Sequence, residues 1–227
     1  MAFRLVGPEM RAWCERGGVF AVAGLRGGGE YGREWHEAGR GLRKENTITD
    51  FLDCAGYLIG QGYTRPERLA GMGGSAGGIP VGGALVRRPD LWAAMVMQVP
   101  VTNTTRKEFS ENGPANLAET GSVTTEDGLR ALLLTDCYLR VQDGTRYPAV
   151  LITTGLNDPR VAVWQPAKMA ARLQAATASD RPVLLRVDPH DGHGRGSTQT
   201  QRNELTADIL AFIRHELTTR TTTTATA

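Results

Sequence analysis

Apolar positions along the chain follow two alternating spacings. Short unbroken apolar runs occur at 18–25 (GVFAVAGL), 68–72 (RLAGM), 93–99 (AAMVMQV), 149–154 (AVLITT) and 183–187 (VLLRV). Continuous runs of this length and composition suit strands buried on both faces of a parallel sheet, so five strands are predicted. Between them the period lengthens. Ile48, Phe51, Leu52, Ala55, Leu58 and Ile59 share one helical face, with Thr47 or Thr49 as N-cap and Gly60 or Gly62 at the stop. Further helices are predicted over about 78–88, 164–175 and 198–217. Strand and helix alternating in this way imply right-handed βαβ units, hence an α/β fold with a mostly parallel sheet and helices on both faces.

Two stretches depart from the rhythm. Residues 102–147 are long and mixed with Gly, Pro and Thr, and read as an insertion with small helices around TEDGLRALLLTDCYL. The end of the chain, TTRTTTTATA at 218–227, has nothing to bury and is expected to be disordered. The organisation expected is therefore one domain over 1–217 followed by a tail.

Composition narrows the function classes. At 227 residues, with 41% hydrophobic and 22% charged content, the chain lies in the ordinary globular range. Its 26 basic and 24 acidic residues are interspersed, which leaves no electrostatic footprint for a nucleic-acid partner. No run approaches the 18 or so apolar residues of a membrane span, and the first 30 residues lack the pattern of a secretory leader. A cytoplasmic location without a membrane partner is expected, any leader lying upstream of Met1. Cys14, Cys54 and Cys137 are widely spaced with no CxxC pair, which argues against a disulfide framework and against zinc. No metal or other cofactor is expected.

The glycines around Ser75 admit two chemistries. GMGGSA (71–76) fits G-x-G-x-x-A, and GGGEYG (27–32) fits G-x-G-x-x-G, the spacings that cradle a dinucleotide pyrophosphate. That reading needs a carboxylate about 20 residues on, at the end of the next strand. The strand after the first match ends MQVP, and no strand arrives in time after the second, whose Glu30 would also repel a pyrophosphate. No G-K-[ST] occurs, which excludes a P-loop. Read instead as G-x-S-x-G, the segment GGSAG (73–77) places Ser75 on a sharp strand-to-helix turn, with small neighbours two positions away on either side letting the turn close. The backbone N–H of Ala76 would then face a developing oxyanion at the start of a helix.

A serine nucleophile on this fold needs an acid and then a histidine later in the chain, each in a loop after a strand. His36 and His215 read as surface residues. His190 and His193 share the loop DPHDGHGRG after VLLRV; His193, flanked by glycines, is the better base and His190 the runner-up. Asp158, in TTGLNDPRV after AVLITT, is the candidate acid, although an Asx-turn before Pro159 would also account for it. Asp188 and Asp191 lie too close in sequence to the histidine to support it from a separate loop. The order Ser75, Asp158, His193 is the one the α/β-hydrolase fold requires.

With those residues in hand, a family resemblance emerges. LRGGGEYGREWHEAGR, GYTRPERLAGMGGSAGG, RRPDLWAAMVMQVP, YPAVLITTGLNDPRV and GHGRG, in this order from about Trp13 to Leu217, resemble the catalytic domain of the prolyl oligopeptidase family of serine peptidases. The resemblance implies an α/β-hydrolase fold, a peptide substrate, Ser75 as nucleophile, Asp158 as orienting acid, His193 as general base, and Arg160 as the holder of a substrate carbonyl. It also implies an upstream propeller, further strands and an oxyanion tyrosine, none of which this sequence contains, so an N-terminally truncated member is expected, with self-association through an exposed sheet edge. Where prolyl-specific members place a tryptophan this chain has Asn116, and where dibasic-cleaving relatives place an acidic cluster it has Glu119 alone. The P1 preference stays open between proline and basic residues, and an esterase or an inactive remnant of the same fold remains as the alternative function.

Overall fold

The computed structural model describes residues 7–194 and 197–218. Its sheet has four parallel strands in the order β1-β2-β3-β4: β1 Ala70–Gly74, β2 Ala94–Gln98, β3 Ala149–Gly155 and β4 Val183–Asp188. The α-helices are α1 Pro8–Cys14, α2 Arg33–Glu37, α3 Glu45–Gly60, α4 Gly78–Arg87, α5 Thr104–Lys107, α6 Leu117–Thr120, α7 Glu126–Thr135, α8 Trp164–Ala176 and α9 Gln199–Thr218. The register runs Met95↔Val150 and Ile152↔Leu185, so the two middle strands carry the core.

Alternation along β2 and β3 sorts the helices onto two faces. Met95, Met97, Val150 and Ile152 pack with Val81, Ala84 and Leu85 of α4 and with Met169, Ala170 and Leu173 of α8. The intervening Val96 and Leu151 point the other way, against Ile209 and Ile213 of α9. Helices on both faces leave β3 buried along its whole length, which is why it opens with the unbroken apolar run AVLI.

Four of the five expected strands form. Residues 18–25 do not: they run outside the sheet, with Val19 74% and Val22 63% exposed, and the carbonyl of Val19 accepts from the indole N–H of Trp13. An apolar run becomes a strand only where a partner supplies the ladder, and among the described residues β1 is paired with β2 alone. The expected cap of α3 also differs. Lys44 occupies the N-cap position, and the Thr47 hydroxyl donates instead to the carbonyl of Arg26 at 3.1 Å, tying the preceding segment to the helix. Arg26 completes that tie through its backbone N–H and guanidinium, both on Asp50.

Residues 102–147 form α5, α6 and α7 with intervening turns. The Thr125 side chain accepts from the N–H of Gly128, capping α7. Among the described residues no helix is long and apolar enough to cross a membrane. The expectation for the tail concerns residues that, after Thr218, lie outside those described, as do Arg195 and Gly196 of the GHGRG stretch.

Candidate active site

Ser75 stands where β1 ends and a short turn, Ser75–Gly77, leads into α4. Its φ of +54° lies in the left-handed region, which costs a non-glycine residue about 1–3 kcal/mol and persists only where the surroundings fix it. Two contacts do so: the Ser75 carbonyl accepts from Val101 N–H at 3.0 Å, and the flanking glycines admit the turn. A Cβ on Gly73 would lie 2.7 Å from a Val81 methyl, and one on Gly78 would lie 2.6 Å from the Pro100 ring. A Cβ on Gly77 would meet nothing within 4 Å, so the second obligatory glycine is Gly78, not Gly77. Val99, just after β2, is also held at positive φ (+43°) by a 2.7 Å bond from its N–H to Thr153. A β-branched side chain gives no sequence cue to that conformation.

The acid and the histidine come from the ends of β3 and β4. Asp158 divides its carboxylate: Oδ1 accepts from the N–H groups of Arg160 (2.8 Å) and Val161 (2.9 Å), while Oδ2 meets Nδ1 of His193 at 2.7 Å. Both readings of Asp158 therefore describe it, an Asx-type turn on one oxygen and a histidine partner on the other. His193 Nε2 lies 2.8 Å from Ser75 Oγ. Because the carboxylate can only accept, Nδ1 carries the proton, and Nε2 offers a lone pair to the serine hydroxyl. The Asp158 side chain is fully buried and that of His193 is 8% exposed.

The two loops are laced together. Leu156 and Asn157 N–H groups donate to the carbonyls of Asp188 and Asp191, and the Asn157 amide donates to Pro189. This approach is possible because residue 155 is glycine, where a Cβ would come within 2.3 Å of the Gly192 carbonyl. The alternatives fall away on geometry. Asp188 accepts from the His190 and Asp191 N–H groups, and Asp191 accepts from Gly192 N–H and the Ser197 hydroxyl. His190 is exposed.

Ala76 is exposed on the turn beside Ser75, its N–H at the entry to α4. Arg160 is exposed, and its guanidinium makes no described contact. The Asn116 amide donates to Asn112, whose own amide donates to the Arg160 carbonyl, so the middle of the 102–147 stretch reaches the acid loop through two asparagines. Glu119 does not present a free carboxylate. One oxygen takes the Lys44 ammonium at 2.7 Å and the other lies 3.3 Å from Nε2 of His36, whose Nδ1 donates to the Gly27 carbonyl. His36 thus stays at the surface, as expected, its side chain 42% exposed, but on α2 and tied to Glu119 and Gly27. Buried Lys107 lies beside this Glu119 cluster, its ammonium pushed down to about 8 by desolvation, with Lys44 adding to the fall and Glu119 opposing it.

The model of the prolyl oligopeptidase family matches residues 6–220. The chain belongs to that family. It is 35% identical over 208 residues to a prolyl endopeptidase of Elizabethkingia meningoseptica, covering 90% of this chain and 29% of the relative. It is similar in structure to oligopeptidase B from Leishmania major (TM-score 0.89, 31% identity, 93% of this chain and 30% of that one). It is also similar to prolyl oligopeptidase B from Galerina marginata bound to a 35-residue hydrolysis and macrocyclisation substrate (TM-score 0.86, 30% identity, 92% and 29%). The chain therefore spans less than a third of the length of these relatives.

Proposed function

We propose that this chain acts as a serine peptidase on oligopeptides, through an acyl-enzyme formed on Ser75. The observation that carries the proposal is the unbroken relay of two short hydrogen bonds from Ser75 Oγ through His193 to buried Asp158. Ser75 Oγ attacks the scissile carbonyl carbon as its proton passes to His193 Nε2, and Asp158 holds the imidazole in the tautomer this needs and stabilises the imidazolium. The N–H of Ala76 donates to the oxyanion. On collapse the peptide C–N bond breaks, the proton on Nε2 goes to the leaving amine, and water then releases the acid by the same steps in reverse order.

For substrate positioning we assign Arg160, whose uncommitted guanidinium stands two residues from the acid, to a substrate carbonyl, and Asn116 to the wall beside it. Glu119, engaged by Lys44 and His36, orders that wall. The peptide-bound relative from Galerina supports a peptide substrate. We place residues 1–217 in one catalytic domain, cytoplasmic in keeping with three free cysteines, and able to self-associate through the free edge of β1.

The test is labelling of the purified chain with a serine-directed fluorophosphonate, mapping of the adduct, and turnover of matched peptide and ester substrates. An adduct on Ser75 with peptide turnover is expected. Ester turnover alone makes the chain an esterase, and no adduct makes it an inactive member.

A further inference from the structure

The hydrolysis above leaves one concavity unused, built on segments that lead out of the triad. It is an open cleft of about 330 Å³ between α5 and α8, lined by Arg106, Phe109, Trp164 and Lys168. Both walls grow out of segments that fix the triad. Val101, whose N–H holds the Ser75 carbonyl, is five residues before Arg106, and Val161, whose N–H holds Asp158, is three residues before Trp164. Three residues span at most about 11 Å and five about 18 Å, so the cleft lies within a few residues' reach of an extended peptide bound at Ser75.

Its chemistry is cationic and aromatic together. The Arg106 guanidinium sits 5.2 Å from the centre of the exposed Phe109 ring. The Lys168 ammonium lies 4.3 Å from the Tyr138 ring and 5.3 Å from the Trp164 ring, fixed by a 2.9 Å bond to Asn103 Oδ1. Asn103 is itself buried and held by Asp136, so Lys168 is positioned from below. Glu108, the carboxylate two residues on from Arg106, is taken up elsewhere, accepting from the Ser122 hydroxyl and the Val123 N–H, and among the described residues neither Arg106 nor Lys168 has an ion-pair partner.

We propose that this cleft is a peptide subsite for a carboxylate-bearing residue, the carboxylate lying between Arg106 and Lys168 and the rest of the residue against Phe109 and Trp164. The proposal rests on the peptidase reading for its ligand class. The carboxylate can come from an acidic side chain or from the C-terminus of a short peptide, and the same contacts serve both.

The experiment measures binding, not turnover. Fluorescein-labelled octapeptides of one sequence, with a free C-terminal carboxylate, a C-terminal amide, or an amide plus an internal Glu or Lys, are titrated by anisotropy onto the full chain carrying Ser75→Ala. The free acid or the Glu peptide should bind about tenfold tighter than the amide and Lys peptides, a difference of about 1.4 kcal/mol. Whichever of the two gains names the source. Arg106→Gln, at an exposed position, should erase the gain, and Trp164→Leu should weaken all four peptides. Equal affinities for the four, no binding of any, or a gain that survives Arg106→Gln overturns the subsite. Loss of fluorophosphonate labelling in the wild-type chain, with peptide discrimination intact, would instead overturn the peptidase reading and leave the subsite standing.

Discussion

His193 and Ser75 are 118 residues apart in the chain and 2.8 Å apart in space, with Nε2 of the imidazole aimed at the hydroxyl. That contact depends on Asp158, which supports the histidine with one oxygen and its own loop with the other. The two tasks can be separated by mutation. Asp158→Asn keeps the oxygen that accepts from Arg160 and Val161 but lets the imidazole settle in the wrong tautomer. Turnover should fall by about 10⁴ while the melting temperature stays within a few degrees. Asp158→Ala should lose both activity and stability. Turnover and thermal melts of the two variants check this; equal melting of both would remove the loop-holding role of Oδ1.

The glycines give a sharper contrast. Gly155→Ala puts a methyl within 2.4 Å of the Asp191 and Gly192 carbonyls, and the loop carrying His193 has to retreat. A displacement of about 1 Å at a catalytic group costs roughly 10² in rate, so that loss is expected for turnover along with slower fluorophosphonate labelling. Gly77→Ala adds a methyl to open space at an ordinary helical φ of −65° and should leave labelling within about twofold of wild type. Equal effects of the two would show that close packing at Gly155 does not set the histidine.

These contacts also mark what the sequence could and could not reveal. The two middle strands were legible because β2 and β3 are buried on both faces and so carry the unbroken apolar runs AMVM and AVLI. The same rule overreached at 18–25, since composition carries no information about whether a ladder partner exists. That Ser75, Asp158 and His193 would meet in space was legible from a strained-turn spacing and from chain order in loops after strands. The choice between Gly77 and Gly78 was not, because it depends on Pro100 arriving from another strand's end. Nor was the commitment of Glu119, whose partners Lys44 and His36 lie 75 or more residues away.

Lys107 should make stability depend on pH. Burial brings its ammonium down to about 8 from the ordinary lysine value of 10.5. Below about 8 both folded and unfolded chains hold the proton, and the cost of burying the charge is present in full. As pH rises from about 8 toward 10.5 the unfolded chain binds a proton that the folded chain has released, so this group's contribution to stability improves. Lys107→Met should therefore be stabilising at pH 7, by about 1–3 kcal/mol, and its advantage should shrink by pH 9.5. Denaturant melts of both proteins across this range measure the difference; a constant gap would show that Lys107 keeps its charge when buried.

The free side of β1 carries the last prediction. β1 is an edge strand with three glycines among its five residues, so few side chains shield its backbone groups. Its own Met72 is exposed, as is Phe20, and the two share with Trp13 the lining of a cleft of about 190 Å³. Unpaired strand edges next to exposed apolar side chains associate at micromolar to millimolar concentrations. The chain should therefore elute as a concentration-dependent dimer or larger species in size-exclusion chromatography with light scattering. Lysine blocks strand addition because a second edge cannot desolvate it, so Met72→Lys combined with Phe20→Lys should shift the population toward monomer. Those substitutions leave the Ser75, His193 and Asp158 contacts untouched, so fluorophosphonate labelling of the double variant should match wild type. A monodisperse monomer of the wild-type chain at about 100 μM would show that the residues around 18–25 already shield this edge.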